Sequence, residues 1–296
     1  SSPLSTTADR ALRRGAALWA VAALVVIVAA IALPAFRSTV SVNSLLASLA
    51  PIVLISIGQA IVILVGGIDL SVGAVAGLAT VALSLHTVLP GGAPVALVLA
   101  LVAGFVVGAV NGLGINAGIN PLLMTFAMAG VIQGAALLLQ GTPDSAAPYE
   151  LIAVLATSVG PVPVLAIVAV VALIVVWWWA SQSRMGRIIY ATGYDARIAG
   201  RLGFPVRAAT LVAFAVAGLL ASLGGVAIAT RTYTADALVG ASSVIDSIAT
   251  VLVAGIVITG GIGSVLNVLP AAVIIAVVGQ IITLTGTDAY YQMIFK

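Results

Sequence analysis

Within the apolar run Ile61–Ala79 one carboxylate, Asp69, stands among small residues, with Gly66 and Gly67 before it and Ser71 and Gly73 after. An ionised aspartate at bilayer depth costs roughly 3 kcal/mol on insertion scales, so such a residue marks a functional site by default. Glycines at this density break a spanning helix, and a membrane tolerates a break only where protein or a water-filled cavity covers the backbone. Two roles are open to Asp69. Its carboxylate caps a helix starting near Leu70 by accepting from the free amides of Ser71 or Val72, or it lines a solute path or relays protons. Asp246, in the stretch ASSVIDSIATVLVAG, presents the same alternatives. It caps a short helix over 244–259 through Ser242-Ser243, or it faces a cavity.

The other polar residues inside apolar stretches are uncharged: Gln59, Asn111, Gln133, Thr250, Asn267, Gln280 and Thr283. A path lined by amides and hydroxyls suits a neutral polyhydroxyl solute better than an ion, although such residues also bond neighbouring helices to one another. Several chemistries are excluded. There is no GxxxxGK[ST] loop, and the chain's one lysine is Lys296, so nothing here grips the β- and γ-phosphates of ATP. Gly260-Gly261-Ile262-Gly263-Ser264 is glycine-rich but reads as a break between two apolar segments. The chain has no cysteine, which leaves no thiolate metal site and no disulfide. Its single histidine, His86, argues against a His-based metal centre and, placed at the outer end of a helix far from the buried acids, against Ser/His/Asp catalysis.

The elements that must position these residues follow from composition. Of 296 residues 62% are hydrophobic and 6% charged, and the mean hydropathy is +1.31. No soluble fold of this size covers its surface with so little charge. The fold class is therefore all-α, a polytopic membrane helical bundle; runs of about 20 apolar residues without period-two alternation exclude a β-barrel. Nine segments of spanning or near-spanning length can be marked, at 16–33, 42–64, 70–88, 94–115, 121–139, 163–180, 208–229, 244–259 and 265–286, the eighth short enough to be re-entrant. The row Gly104, Gly108, Gly112 and the pair Gly73, Gly77 give small faces for backbone-to-backbone packing inside one bundle.

Cations set the orientation. With a cytoplasmic N-terminal segment over 1–15, the residues Arg10, Arg13, Arg14, Arg184, Arg187, Arg197, Arg201 and Arg207 all lie inside, and only Arg37, Arg231 and Lys296 lie outside. Trp177-Trp178-Trp179 then sits at the inner interface. Residues 181–207, SQSRMGRIIYATGYDARIAGRLGFPVR, form the most charged link. They are long enough for a short helix along the membrane, either a positive-inside anchor or a docking element for a cytoplasmic motor. The basic balance, a pI near 9.6, belongs to membrane-flanking segments and points to lipid rather than nucleic acid.

The stretch GGIDLSVGAVAGLA at 66–79 closely resembles the signature of permease subunits of ribose-type, binding-protein-dependent ABC sugar importers. Further similarity follows in order: Gly108–Gly112, Met185–Gly193, Val216–Gly225, Ile245–Ala249, Gly260–Ser264 and Tyr290–Ile294. The resemblance implies a single permease domain over 16–296 that moves a monosaccharide or related polyol inward across the bacterial plasma membrane. It implies a second permease, identical or paralogous, a separate cytoplasmic ATPase using ATP and Mg, and a soluble sugar-binding protein, with no enzyme activity and no cofactor in this chain. Carried over residue by residue, Gly66, Gly67, Asp69, Ser71 and Gly73 are the signature; Gln59, Asn111, Gln133, Asp246, Thr250 and Asn267 are path candidates from their polarity within apolar stretches alone. Gly186, Arg187, Asp195, Arg197 and Arg201 then couple the pore to the ATPase through 181–207. Two stretches depart from the pattern. Tyr194–Phe204 is a looser version of the acidic, alanine-rich coupling region, and Asn267 with Leu269-Pro270 replaces a glycine-rich helix start. Members continue past Tyr290–Ile294 into another span, so ten spans are expected of the intact protein. An ion-coupled secondary transporter using Asp69 or Asp246 is the alternative, and a non-transporting scaffold subunit a third class.

Overall fold

The computed structural model describes residues 3–140 and 146–286, with side chains from residue 15 onward. The match at Tyr290–Ile294, Lys296 and the side chains of Arg10, Arg13 and Arg14 lie outside the described residues. The described chain is α-helical apart from a two-residue hairpin, β1 (Ser158–Val159) and β2 (Val162–Pro163). Its helices are α1 (Pro3–Ala32), α2 (Thr39–Leu64), α3 (Val72–Ser84), α4 (Gly92–Asn116), α5 (Pro121–Leu139), α6 (Tyr149–Leu155), α7 (Val164–Gln182), α8 (Arg184–Tyr194), α9 (Ala196–Arg201), α10 (Val206–Thr232), α11 (Ala241–Val253) and α12 (Val268–Leu284).

Each of the nine marked segments is helical, in two classes. Among the described residues seven helices are long and apolar enough to cross a membrane, while α3 with its 3-10 extension to Thr87 and α11 are shorter. At 1.5 Å per residue a 13-residue helix such as α3 or α11 rises about 20 Å, short of the roughly 30 Å hydrocarbon core. The segment expected over 244–259 is shifted. Its helix starts at Ala241 and ends at Val253, because Gly255, Gly260, Gly261 and Gly263 all take positive φ and turn the chain back. Helix α1 runs continuously from Pro3 through the N-terminal segment into the first apolar stretch.

Local chemistry sets the helix starts. Ser38 caps α2 by accepting from the Ser41 amide, Asn120 caps α5 ahead of Pro121, and Ser183 caps α8 through the Gly186 amide. Helices α2 and α10 form the interior, with α10 packed against α4, α2 and α3, while α1 and α5 keep most of their apolar surface outward. The glycine row of α4 makes a close crossing: a methyl on Gly108 would run into the Phe214 carbonyl of α10, and Gly104 faces Gly218. Gly73 and Gly77 of α3 likewise lie on the backbone of Gly240 and Ala237. These are packing contacts within one bundle, as the spacing predicts. Of the three tryptophans only Trp178 points outward; Trp177 and Trp179 pack on the core.

Candidate functional site

The break after α2 is built from the signature residues. Gly66 takes φ +95°, closed to most side chains, and Gly67 leaves room for the Phe214 ring, which a methyl there would approach to 2.9 Å. Beyond them Asp69 turns the chain into α3. Its Oδ1 accepts from the Ser71 amide at 2.8 Å and the Ser71 hydroxyl at 2.6 Å, and Asn111 Nδ2 donates to that hydroxyl at 2.9 Å. Gln59, oriented to satisfy both ends of its amide, donates to the Asp69 carbonyl at 3.0 Å and accepts from the Asp69 amide at 3.3 Å. The Leu70 amide donates to Thr125 Oγ1 at 3.1 Å. Gln59, Asp69, Ser71, Asn111 and Thr125 are all at most 1% exposed. The geometry is an Asx turn just ahead of α3: Asp69 holds the amide and hydroxyl of Ser71, the residue from which α3 starts. Helix α3 has no side-chain cap of its own, so the expected cap from a helix starting near Leu70 is not what forms. The groups named here are spent on fixing a break, as buried polar groups tend to be, except Asn111 Oδ1, which is buried without a protein partner.

This break lies at the same end of the bundle as 181–207. Gly193, near the end of α8, sits against the Leu64 carbonyl with no room for a side chain. Gly261 of the 260–264 break donates its amide to Leu64 at 3.0 Å. A methyl on Gly260 would stand 2.9 Å from the Gly66 Cα and 3.0 Å from the Gly193 Cα. Tyr190 of α8, its hydroxyl pKa pushed up by burial, donates to the Gly263 carbonyl at 3.1 Å. Three segments far apart in sequence thus meet backbone on backbone at one junction.

Beyond the junction the loop turns outward. Arg187, Arg197 and Arg201 are exposed, whereas Gly186 is buried against the Ala180 carbonyl. Asp195 caps α9 through the amides of Arg197 and Ile198 at 2.9 and 3.0 Å. The Ile198 amide above all, with the Arg197 amide and the Arg197 and Arg201 charges, holds its carboxyl below the usual aspartate value. Tyr194, Ile198 and Leu202 are exposed beside these arginines.

The other path candidates are scattered. Gln133 donates to the Ala237 carbonyl at 2.6 Å, Thr250 to the Asp246 carbonyl at 2.6 Å, and Asn267 to the Ala254 carbonyl at 3.3 Å. Asp246 sits inside α11 rather than at its start, so it does not cap; with Arg231 it lines a cavity of about 290 Å³ between α2, α10 and α11. Sequence reasoning treated Arg231 only as an outer cation and passed over Thr125, Tyr190 and Gly193 as site residues. The two titratable ones carry a signal, a cation ending an apolar helix and a tyrosine in an amphipathic one, but their partners are distant in sequence.

Long apolar helices, shorter ones set around a buried polar break, and one basic link define a multi-pass membrane protein. The chain belongs to the family described as branched-chain amino acid transport system / permease component, which it matches over residues 41–296. It is 33% identical to the ribose import permease protein RbsC of Bacillus subtilis, over 92% of this chain and 86% of that one. It is 29% identical to the D-allose transport system permease protein AlsC of Escherichia coli, over 88% and 80%. Against the autoinducer 2 import system permease protein LsrD of Escherichia coli the identity is also 29%, over 79% and 73%. No solved structure matches the chain at a significant level.

Proposed function

We propose that this chain is the transmembrane pore subunit of an ATP-driven importer that moves a monosaccharide or related polyol inward across the bacterial plasma membrane. One observation carries the reading: the basic 181–207 link is fastened, backbone to backbone, to both breaks at the Gly193–Leu64–Gly261 junction. A partner ATPase that moves α8 and α9 therefore moves the ends of α2 and the 260–264 turn without an intervening flexible side chain. The exposed Tyr194, Ile198 and Leu202 beside Arg197 and Arg201 suit a partner that offers an apolar groove with an acidic rim. Sugar as cargo is supported by the names of the relatives importing ribose and allose.

The partners in this reading are a second permease, identical or paralogous, the ATPase with its ATP and Mg, a soluble sugar-binding protein, and membrane lipid. The N-terminus and 181–207 face the cytoplasm, and this chain hydrolyses nothing. Asp69 holds a broken helix and does not relay protons, since its carboxylate is engaged by Ser71. The test is uptake and ATPase binding in Arg187→Glu and Arg201→Glu. The reading expects ATP-driven uptake to fall at least tenfold with weakened ATPase binding, about 1.4 kcal/mol of lost coupling. Undiminished transport with retained ATPase binding would overturn it.

A further inference from the structure

Arg231, the last arginine of α10, lines the cavity that holds Asp246 and also two adjoining cavities of about 420 and 310 Å³. In a chain with 6% charged residues, an exposed cation and a buried anion lining one half-open cavity are not a default of membrane packing. The cavity stands near the end of α10 opposite the junction. From Phe214, against Gly67, to Arg231 is 17 residues of helix, about 25 Å.

We propose that this cavity is a neutral-polyol binding site, with Arg231 as donor and Asp246 as acceptor, through which the solute passes on its way across this chain. The proposal rests on the import reading above. Three features select the ligand class. Opposite charges leave the cavity with no net charge to hold a single ion. A guanidinium only donates and a carboxylate only accepts, so together they fix adjacent hydroxyls of a polyol in one sense. Ser48 and Ser247 already donate to their own helices, at 2.7 Å to the Ser44 carbonyl and 2.9 Å to the Val244 carbonyl, so their oxygens serve as acceptors. Along α2, beyond Ser48, the lining is Pro51, Ile52 and Ile55, an apolar surface for the C–H face of a sugar ring. At about 290 Å³ the space lies at the small end of small-molecule pockets, the size for a single ring.

The chain's lack of cysteine makes the test direct. Ser243→Cys places one thiol on the cavity wall, and Thr157→Cys places one on an exposed turn away from it. Each is incorporated with the ATPase and the sugar-binding protein into proteoliposomes and labelled with a small polar methanethiosulfonate during turnover, with or without D-ribose or D-allose. Sugar is expected to slow labelling of Ser243→Cys about threefold, the slowing that two-thirds occupancy gives, and to leave Thr157→Cys unchanged. Adding Arg231→Gln is expected to abolish the protection, and Arg231→Lys, which keeps the charge and loses the fork, to leave part of it. Unprotected labelling in a complex that imports the same sugar overturns the site and leaves the import reading standing. Protection in a complex with no ATP-driven uptake overturns the import reading and leaves the site. Absence of both overturns both, and protection that survives Arg231→Gln overturns the role given to Arg231.

Discussion

Gly193→Ala is the sharpest perturbation of the junction. The added methyl would stand 2.6 Å from the Gly261 nitrogen and 2.9 Å from the Leu64 carbonyl carbon, and nearer still to the Leu64 oxygen. These are backbone atoms, so no rotamer change relieves the contact and the segments must separate. Overpacking of this kind costs about 1–3 kcal/mol. Separation also strains the Gly261 amide to Leu64 carbonyl bond, at 3.0 Å in the intact protein, worth about 1 kcal/mol net. The expected total is about 2–4 kcal/mol, accompanied by a loosened grip between α8 and the two breaks. The assay is paired: thermal unfolding of the purified complex, and sugar molecules moved per ATP hydrolysed in proteoliposomes. A lower unfolding temperature and a several-fold lower transport ratio with hydrolysis intact are expected. Gly130→Ala and Gly134→Ala are controls, because a methyl at either meets nothing within 4 Å and alanine gains up to about 1 kcal/mol of helix propensity. A Gly193→Ala complex that transports with the parent's ratio and stability would refute the coupling argument.

Asp69→Asn keeps an acceptor for the Ser71 amide and should retain at least half of the uptake, whereas Asp69→Ala strands buried Ser71 donors and should cost about 2–4 kcal/mol; uptake and thermal unfolding of both variants check this. Thr125→Val removes the acceptor of the Leu70 amide and should lower stability by about 1–3 kcal/mol while leaving ATPase binding unchanged, as a pull-down against the ATPase would show. For Asp195 the folded pKa lies below the ordinary 3.8. Its support of α9 is therefore complete at neutral pH and fades only as the pH falls below that value toward the lower folded one. Hydrogen exchange at the Arg197 and Ile198 amides should accelerate in Asp195→Ala at pH 7 and stay near the parent rate in Asp195→Asn, which still caps.

The fold class and the break at 66–73 were legible because they depend on local sequence. Long apolar runs define spans, and paired glycines beside an aspartate define an interruption. A local role for Asp69 was one of two open readings because its nearest partner, Ser71, is two residues away, although the turn they form lies ahead of α3 and does not cap it. Gln59, Asn111 and Thr125 were not legible as its companions, since three separate helices bring them there. The same limit hid Gly193, whose contacts at Leu64 and Gly261 lie more than 60 residues away. Asp246 looked like a cap because the apolar run begins near Val244, but α11 starts at Ala241 and puts it on the inner face, where Arg231 shares its cavity. Charge counting along the chain placed Arg231 on a side of the membrane and said nothing of a cavity.

The central claim is that energy reaches the pore through 181–207 from ATP and not through a buried acid. The most direct measurement is sugar uptake into proteoliposomes holding this chain with its ATPase and sugar-binding protein, driven either by ATP or by an imposed proton or sodium gradient. Uptake that requires ATP, ignores the gradient and survives Asp69→Asn is the predicted result. Gradient-driven uptake without ATP, abolished by Asp69→Asn, would contradict it.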